Sequence, residues 1–325
     1  MPANSIIRGR ALPLDERLYT IDDEAIEFMK AQTRIQDPDE LKKHILAVQG
    51  EAYEVFPYVC IRGFYFLRWA TQYRDRDDGF DSNLGSLKVA RLPAYQQLLA
   101  LGRERQNAIL LDIGCCLGSD IRKVVADGYP VKYCVASDLY PGFWDLGHKL
   151  FRSTPETFPV PFVPGDAFDS GHIERIPPFY SPPDTPVPEL STLTSLNPLR
   201  GHVSAIHASS FFHLFNEEQQ FKLAQALACL LSPEPGSIIL GSHVGRPEKG
   251  LRVEAGQQLS STRAEPMFCH SPESWVELWN GQIFRQGTVK VEAVLEESRG
   301  RDREQLPDLL PETKVYSMEW SVTRL

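Results

Sequence analysis

A chain of 325 residues, 42% of them hydrophobic, can bury one large core or two small ones, and its net charge of −9 argues against a protein that tracks a nucleic-acid backbone. Six cysteines with no CxxC pair and no Cys/His ladder argue against zinc, and no metal site is expected. Met1 to Leu18 is charged and broken by proline, unlike a secretory signal, and no apolar run reaches the roughly 18 residues of a membrane helix, so the expectation is a reduced cytoplasmic protein.

The first hundred residues read mostly as helix. Asp22 to Ala31 carries Ile26 and Met29 on one face, and Asp37-Pro38 opens a helix to Phe56 as N-cap and first helical residue. Tyr58 to Tyr73 is an aromatic-rich helix, followed by an acidic, glycine-bearing loop over 74–85. Leu87 to Leu101 is helical again, with Gly102 as its stop. From Ala108 the rhythm changes to strand, turn, helix. Strands are expected at Ala108 to Asp112, Tyr133 to Ser137, Val160 to Val163, Val203 to Ala208, Ser237 to Leu240, Val289 to Leu295 and Val315 to Val322. Helices are expected at Ser119 to Asp127, Trp144 to Phe151, Glu217 to Leu231 and Pro272 to Ile283. The alternation predicts an α/β fold: seven strands in a Rossmann-like, mostly parallel sheet, helices on both faces, and a helical N-terminal extension. The last two strands have no helix of crossover length between them and should be antiparallel. The expected division is a substrate-facing cap over 1–105 and a ligand-binding domain over 106–325, with a proline-rich loop inserted at 176–198.

The stretch "LLDIGCCLGSD" ends the first strand in Asp112 and follows with Gly114 and Gly118. Open parallel sheets bind ligands beyond the carboxyl ends of their strands, where glycines let backbone approach a ligand. No Gly-Lys-Ser/Thr end is present for a Walker loop, and the middle glycine of a GxGxxG dinucleotide turn is replaced by Cys116. A third reading is a sulfonium nucleoside, S-adenosylmethionine (SAM). Asp138 ends the second strand, where a ribose would lie, and "GDAFD" (Gly165 to Asp169) follows the third, where an adenine amine could meet Asp166. Each acid also has an ordinary use, as a helix cap or a turn former.

Asp112-x-Gly114-x-x-x-Gly118, Asp138 and Asp166-Ala167-Phe168, in this order on successive strands, resemble class I SAM-dependent methyltransferases. "LLDIGCCLGSDIRKVVADG", "SDLYPGFWDLGHKLF" and "CIRGFYFL" resemble a fungal group of small-molecule methyltransferases in meroterpenoid and related secondary pathways, some of which esterify a carboxylate. The resemblance implies that Asp112, Gly114, Cys115 and Gly118 hold the methionine end of SAM, that Asp138 binds the ribose with Leu139 against the adenine, and that Asp166, Ala167 and Phe168 form the ring slot. Cys115 and Cys116 are read as small residues filling a tight turn.

A carboxylic acid acceptor is already ionised at neutral pH and needs no base, whereas a phenol would benefit from one. The candidate base is His213 in "HASSFFHLFNEEQQ", where methyltransferases of plant phenolics place a catalytic histidine. Arg62 and Arg68 are candidate holders of an acceptor anion, and His243 is expected to face the crevice. The leading expectation is O-methylation of a carboxylate on a small secondary metabolite, with no nucleic-acid partner. The alternatives are a phenol or alcohol O-methyltransferase using His213, a nicotinamide oxidoreductase on the same sheet, and a non-catalytic regulator of methyltransferase-like fold.

Overall fold

The run Ile109–Ile113 forms strand β1, buried at all five positions, as a central parallel strand covered on both faces must be. β2 (Cys134–Ser137) and β3 (Val203–His207) flank it in parallel, with Asp112 opposite Ala136 on one side and His207 on the other. β4 (Ile238–Gly245) continues the parallel run beside β3. β5 (Gly250–Leu251) and β6 (Phe268–Cys269) form a separate two-stranded ribbon. β7 (Val289–Ser298) and β8 (Val315–Arg324) close the main sheet as an antiparallel pair, with β8 lying against β4. The order is β2-β1-β3-β4-β8-β7. This computed structural model describes residues 12–67, 87–252, 267–298 and 314–325.

The main sheet has six strands among the described residues, not seven. The expected strand at Val160 to Val163 is reduced to one parallel bridge, Phe162 with Ala136. Pro159, Pro161 and Pro164 remove the N–H groups a ladder needs. What remains is a segment tracking the outer edge of β2: Ala136 N–H donates to Pro161 O, Val163 N–H to Ala136 O, and Gly165 N–H to Asp138 O.

The N-terminal helices are α1 (Asp23–Thr33), α2 (Pro38–Val55) and the single turn α3 (Val59–Arg62). Asp22 and Asp37 cap α1 and α2 by accepting the N–H of Ala25 and Glu40. The helix expected over Tyr58 to Tyr73 therefore ends early, and 68–73 lie outside the described residues. The helix expected at Leu87 to Leu101 splits at Pro93 into a 3₁₀ turn, Lys88–Arg91, and α4 (Tyr95–Glu104). Gly102 lies inside α4 and does not stop it; a Cβ there would meet the Tyr129 ring at 2.5 Å, so the glycine allows close packing. The remaining helices are α5 (Ser119–Ala126), α6 (Pro141–Leu150), α7 (Glu217–Leu230) and α8 (Pro272–Trp279). Asn216 and Gln219 form a reciprocal cap at the start of α7, as do Ser271 and Ser274 at α8.

Alternation along β1 divides the core. Ile109, Leu111 and Ile113 pack with Leu223 and Leu227 of α7 and with Trp275 and Trp279 of α8. Leu110 packs on the other face with Leu98 of α4 and Ile121 of α5. Each fully buried Leu or Ile contributes about 1.5–3 kcal/mol. A third cluster joins α1, α2 and Ile61 to Leu117 of the glycine turn and to Phe143 and Leu150 of α6. The N-terminal layer is thereby fastened over the carboxyl ends of β1 and β2. The proline-rich insertion is packed too: Leu190 and Leu196, with Leu199 just after it, are buried in the cluster that includes α7. Among the described residues no helix is long and apolar enough to cross a membrane, and no group of three or more metal-ligating side chains occurs.

Candidate functional site

Three loops meet at the carboxyl ends of β1, β2 and β3. The turn after β1 is tied to the end of β2, where the N–H groups of Gly114 and Cys115 donate to Ser137 O at 2.9 and 3.2 Å. Gly114 has φ +70, and a Cβ there would meet the Phe211 ring at 2.9 Å. Gly118 has φ +68 and a Cβ would sit 2.6 Å from Trp144. Both positions require glycine on conformation and on space. Cys116, between them, takes φ +51, so it follows the left-handed path that glycine usually provides. Its N–H donates to Asp138 Oδ2 at 2.9 Å, and Tyr140 N–H donates to Asp138 Oδ1 at 3.0 Å. Burial pushes the thiols of Cys60, Cys115 and Cys116 up, so these cysteines stay protonated at neutral pH and serve as packing groups.

Asp138 lies at the centre of this arrangement. Desolvation raises its pKa to about 6, against the pull of the backbone N–H groups of Tyr140, Cys116 and Leu139. Leu139, beside it, is 39% exposed. Asp166 is placed nearby by the Gly165 bond to Asp138 O. Asp166 Oδ1 accepts the Phe168 N–H at 2.9 Å, so the turn-forming use engages one of its two carboxylate oxygens. Ala167 is buried. Phe168 packs edge-on to Phe215 at 4.8 Å, and Phe215 in turn on Phe211 at 5.5 Å, making an aromatic wall that returns to Gly114.

Beneath the turn runs a buried polar chain. Asp112 Oδ1 is 2.8 Å from His207 Nδ1, and His207 Nε2 is 2.7 Å from Ser209 Oγ, which also accepts the Ser242 N–H at 3.2 Å. Burial raises the Asp112 pKa, with His207 opposing. Burial would lower His207, but the Asp112 carboxylate prevails and raises it. Asp112 Oδ2 is buried with no hydrogen-bond partner among the described residues. The next residue, Ser210, takes φ +53, donates its N–H to Ser242 O at 2.6 Å, and accepts from Lys88 Nζ through its hydroxyl.

The other candidates fall elsewhere. Arg62 is buried and its Nε donates to Pro13 O at 2.8 Å, binding the chain's own N-terminal segment. Its expected role as an anion holder is corrected accordingly. Arg68 lies outside the described residues. His243 is corrected as well: it is buried in an aromatic cluster with Phe212, Trp275 and Trp320, not open to the crevice. Trp320 Nε1 donates to His243 Nδ1 at 2.8 Å, and burial pulls the His243 pKa down to about 3, with His270 adding to it. His213 is partly buried, and its Nδ1 accepts the Val244 N–H at 3.4 Å.

Lys88, Ser209, Ser210 and Phe211 were not singled out from sequence. Three of them lie in "HASSFFHLF", whose histidines, His207 and His213, draw the eye first; a doubled serine at a strand end is the available signal.

The chain is similar to known proteins. Residues 14–67 match the family model described as "Meroterpenoid methyltransferase N-terminal domain". The chain is 30% identical over 251 residues to O-methyltransferase phiE of Fungal sp. (strain ATCC 74256), covering 77% of this chain and 68% of the relative. It is 29% identical over 269 residues to O-methyltransferase atr3 of Stereocaulon alpinum, covering 81% of this chain and 63% of that one. To the Asnovolin E/Chermesin D methyltransferase nvfJ of Aspergillus novofumigatus (strain IBT 16806) it is 28% identical over 265 residues, 82% of this chain and 78% of that one. A solved structure of LepI in complex with SAM aligns with TM-score 0.41 at 14% identity, over 82% of this chain and 52% of LepI. With phiE matched across more than two thirds of its length, and with the strand-end acids and glycine turn in place, this chain belongs to the SAM-dependent methyltransferases of fungal secondary metabolism.

Proposed function

We propose that this enzyme methylates a carboxylate oxygen of a small fungal secondary metabolite and that the crevice above β1 and β2 holds the cofactor. The residues there fit SAM. Asp138 uses one lone pair on each oxygen for backbone donors, which leaves capacity for two ribose hydroxyls. Asp112 Oδ2 is an orphaned buried acceptor beside the glycine turn, suited to an ammonium donor. Gly114 keeps the turn free of a Cβ, and Leu139 with Ala167 and Phe168 offers apolar surface for a purine. SAM, when bound, supplies an electrophilic methyl group on a sulfonium. The protein's part is to orient the acceptor oxygen and exclude water.

The observation that favours a carboxylate is the His213 geometry. The Val244 N–H engages Nδ1 at 3.4 Å, which favours the tautomer with its proton on Nε2 and disfavours the ring as a base. An acceptor that arrives ionised needs none. The test is transfer of labelled methyl from SAM into a fungal extract, followed by mild alkaline hydrolysis of the product. A carboxyl methyl ester releases its label as volatile methanol. Label retained through hydrolysis would rule out a methyl ester and displace this reading, with hydroxyl, nitrogen or carbon methylation to be told apart by mass spectrometry of the product.

A further inference from the structure

We propose that Lys88 and Ser210 form a carboxylate-binding pair at the mouth of the crevice, an inference that rests on the reading that the crevice takes the cofactor. The carboxylate can come from either of two sources, the methionine end of the cofactor or the acceptor.

Lys88 is partly buried, and its ammonium donates to the Ser210 hydroxyl across the gap between the N-terminal layer and the loop after β3. Among the described residues no carboxylate lies within ion-pair distance of it. A half-desolvated ammonium has three donors, and one hydroxyl leaves two of them to be satisfied. Its charge reaches the surroundings of the crevice: it acts to lower the thiol pKa of Cys60 and Cys116 and to disfavour a second positive charge on His207.

Both members of the pair are held from below. Lys88 opens a 3₁₀ turn whose next residues, Val89 and Ala90, are buried, and the Val89 N–H donates to Asp120 Oδ1 of α5 at 3.0 Å. Ser210 is fixed in a left-handed conformation by its 2.6 Å bond to Ser242 O, and Ser209 before it is anchored through His207 to Asp112. A cation and a hydroxyl set on two rigid supports, over a turn with φ-positive backbone, are preorganised for an anion with two oxygens. Arg62, the cation expected from sequence, is bonded to Pro13 O, and Lys88 supplies a positive charge at the strand ends.

The test is Lys88→Met, with Lys88→Arg as the conservative rescue and Ser210→Ala as a second route in case Lys88→Met does not fold. Binding of SAM and of decarboxylated SAM is measured by calorimetry. Binding of 2-naphthoate and of 2-naphthol to protein loaded with S-adenosylhomocysteine is measured by ligand NMR. If the cofactor supplies the carboxylate, wild type prefers SAM over its decarboxylated analogue by about 10- to 100-fold, and Lys88→Met abolishes the preference. If the acceptor supplies it, cofactor binding is unchanged and the preference for naphthoate over naphthol disappears instead. Ser210→Ala should weaken the same preference, and Lys88→Arg should retain it. Folded Lys88→Met protein that keeps both preferences at wild-type strength overturns the proposal. Methanol release from the product is read independently, so a hydroxyl acceptor would sink the carboxylate-methylation reading while leaving the cofactor arm intact.

Discussion

The Cys116 N–H donates to Asp138 Oδ2 at 2.9 Å, and the same residue lies at φ +51. An L-residue held there costs about 1–2 kcal/mol, and a charge-assisted bond to a carboxylate offsets a cost of that size. The backbone path usually built with glycine is thus kept with a thiol in it.

Two substitutions at this position should part company. Cys116→Gly relieves the strain but loses packing and gains chain entropy when unfolded, so its stability should stay within about 1 kcal/mol of wild type with SAM affinity retained. Cys116→Val puts a β-branched residue at positive φ and should lose about 2 kcal/mol or more while weakening SAM binding. Urea unfolding and calorimetry read both; a valine variant as stable as wild type would show that the turn relaxes freely.

Asp138 should make both stability and cofactor affinity depend on pH, in opposite directions. Its carboxyl titrates at about 6 in the fold, above its unfolded value, so the native state favours the protonated form. That contribution is full below about pH 4 and is lost as the pH rises through about 6, a change of about 3 kcal/mol. Ribose hydroxyls donate best to the ionised form, so SAM should bind more weakly as the pH falls below about 6. Asp138→Asn should flatten both profiles, and an unaltered pH profile for SAM binding in that variant would remove Asp138 from the cofactor site.

Removing His213 tests the acceptor class by rate. His213→Ala should lower kcat by less than about tenfold, and the wild-type rate at saturating SAM should be flat from about pH 6 to 8, because an ionised acceptor needs no base. A loss of about 10²-fold or more with SAM affinity intact would assign His213 as the base.

The buried Asp112–His207 pair should be costly to break on one side. His207→Ala leaves a desolvated carboxylate without its partner and should cost about 3–5 kcal/mol in urea unfolding near neutral pH. Removing the charge as well, in Asp112→Asn with His207→Ala, should recover part of that loss. A double variant whose loss equals the sum of the two single losses would show that the two side chains are not coupled.

The parts of this protein legible in its sequence are those where a periodic pattern ends in a short polar residue. β1 with Asp112 and Gly114, β2 with Asp138, and the antiparallel pair at the end of the chain stand almost where apolar rhythm places them. Val160 to Val163 has the right apolar residues but lacks the donors, and side-chain pattern says nothing of N–H groups except through proline. Arg62 misled because a cation among aromatics looks the same whether it serves a ligand or a carbonyl; its acceptor, Pro13 O, lies 49 positions away. Lys88 gave no signal of its role, since it reads as an ordinary polar position of the helix expected at Leu87 to Leu101 and its partner Ser210 is 122 positions distant. Contacts closed over such separations are set by the whole fold.

The prolines beside β2 also decide where the sheet stops. A strand edge with free amides can recruit a second chain and grow. Alongside β2 that edge is already occupied by the segment from Pro159 to Pro164, whose carbonyl at Pro161 takes the Ala136 amide and whose three imide nitrogens have no hydrogen to give. The opposite margin, β7, is guarded differently: Lys290, Glu292, Glu296 and Glu297 put charge along it. One border is chemically mute and the other electrically hostile to a copy of itself, and both discourage end-to-end stacking of this sheet into aggregates during synthesis at high concentration.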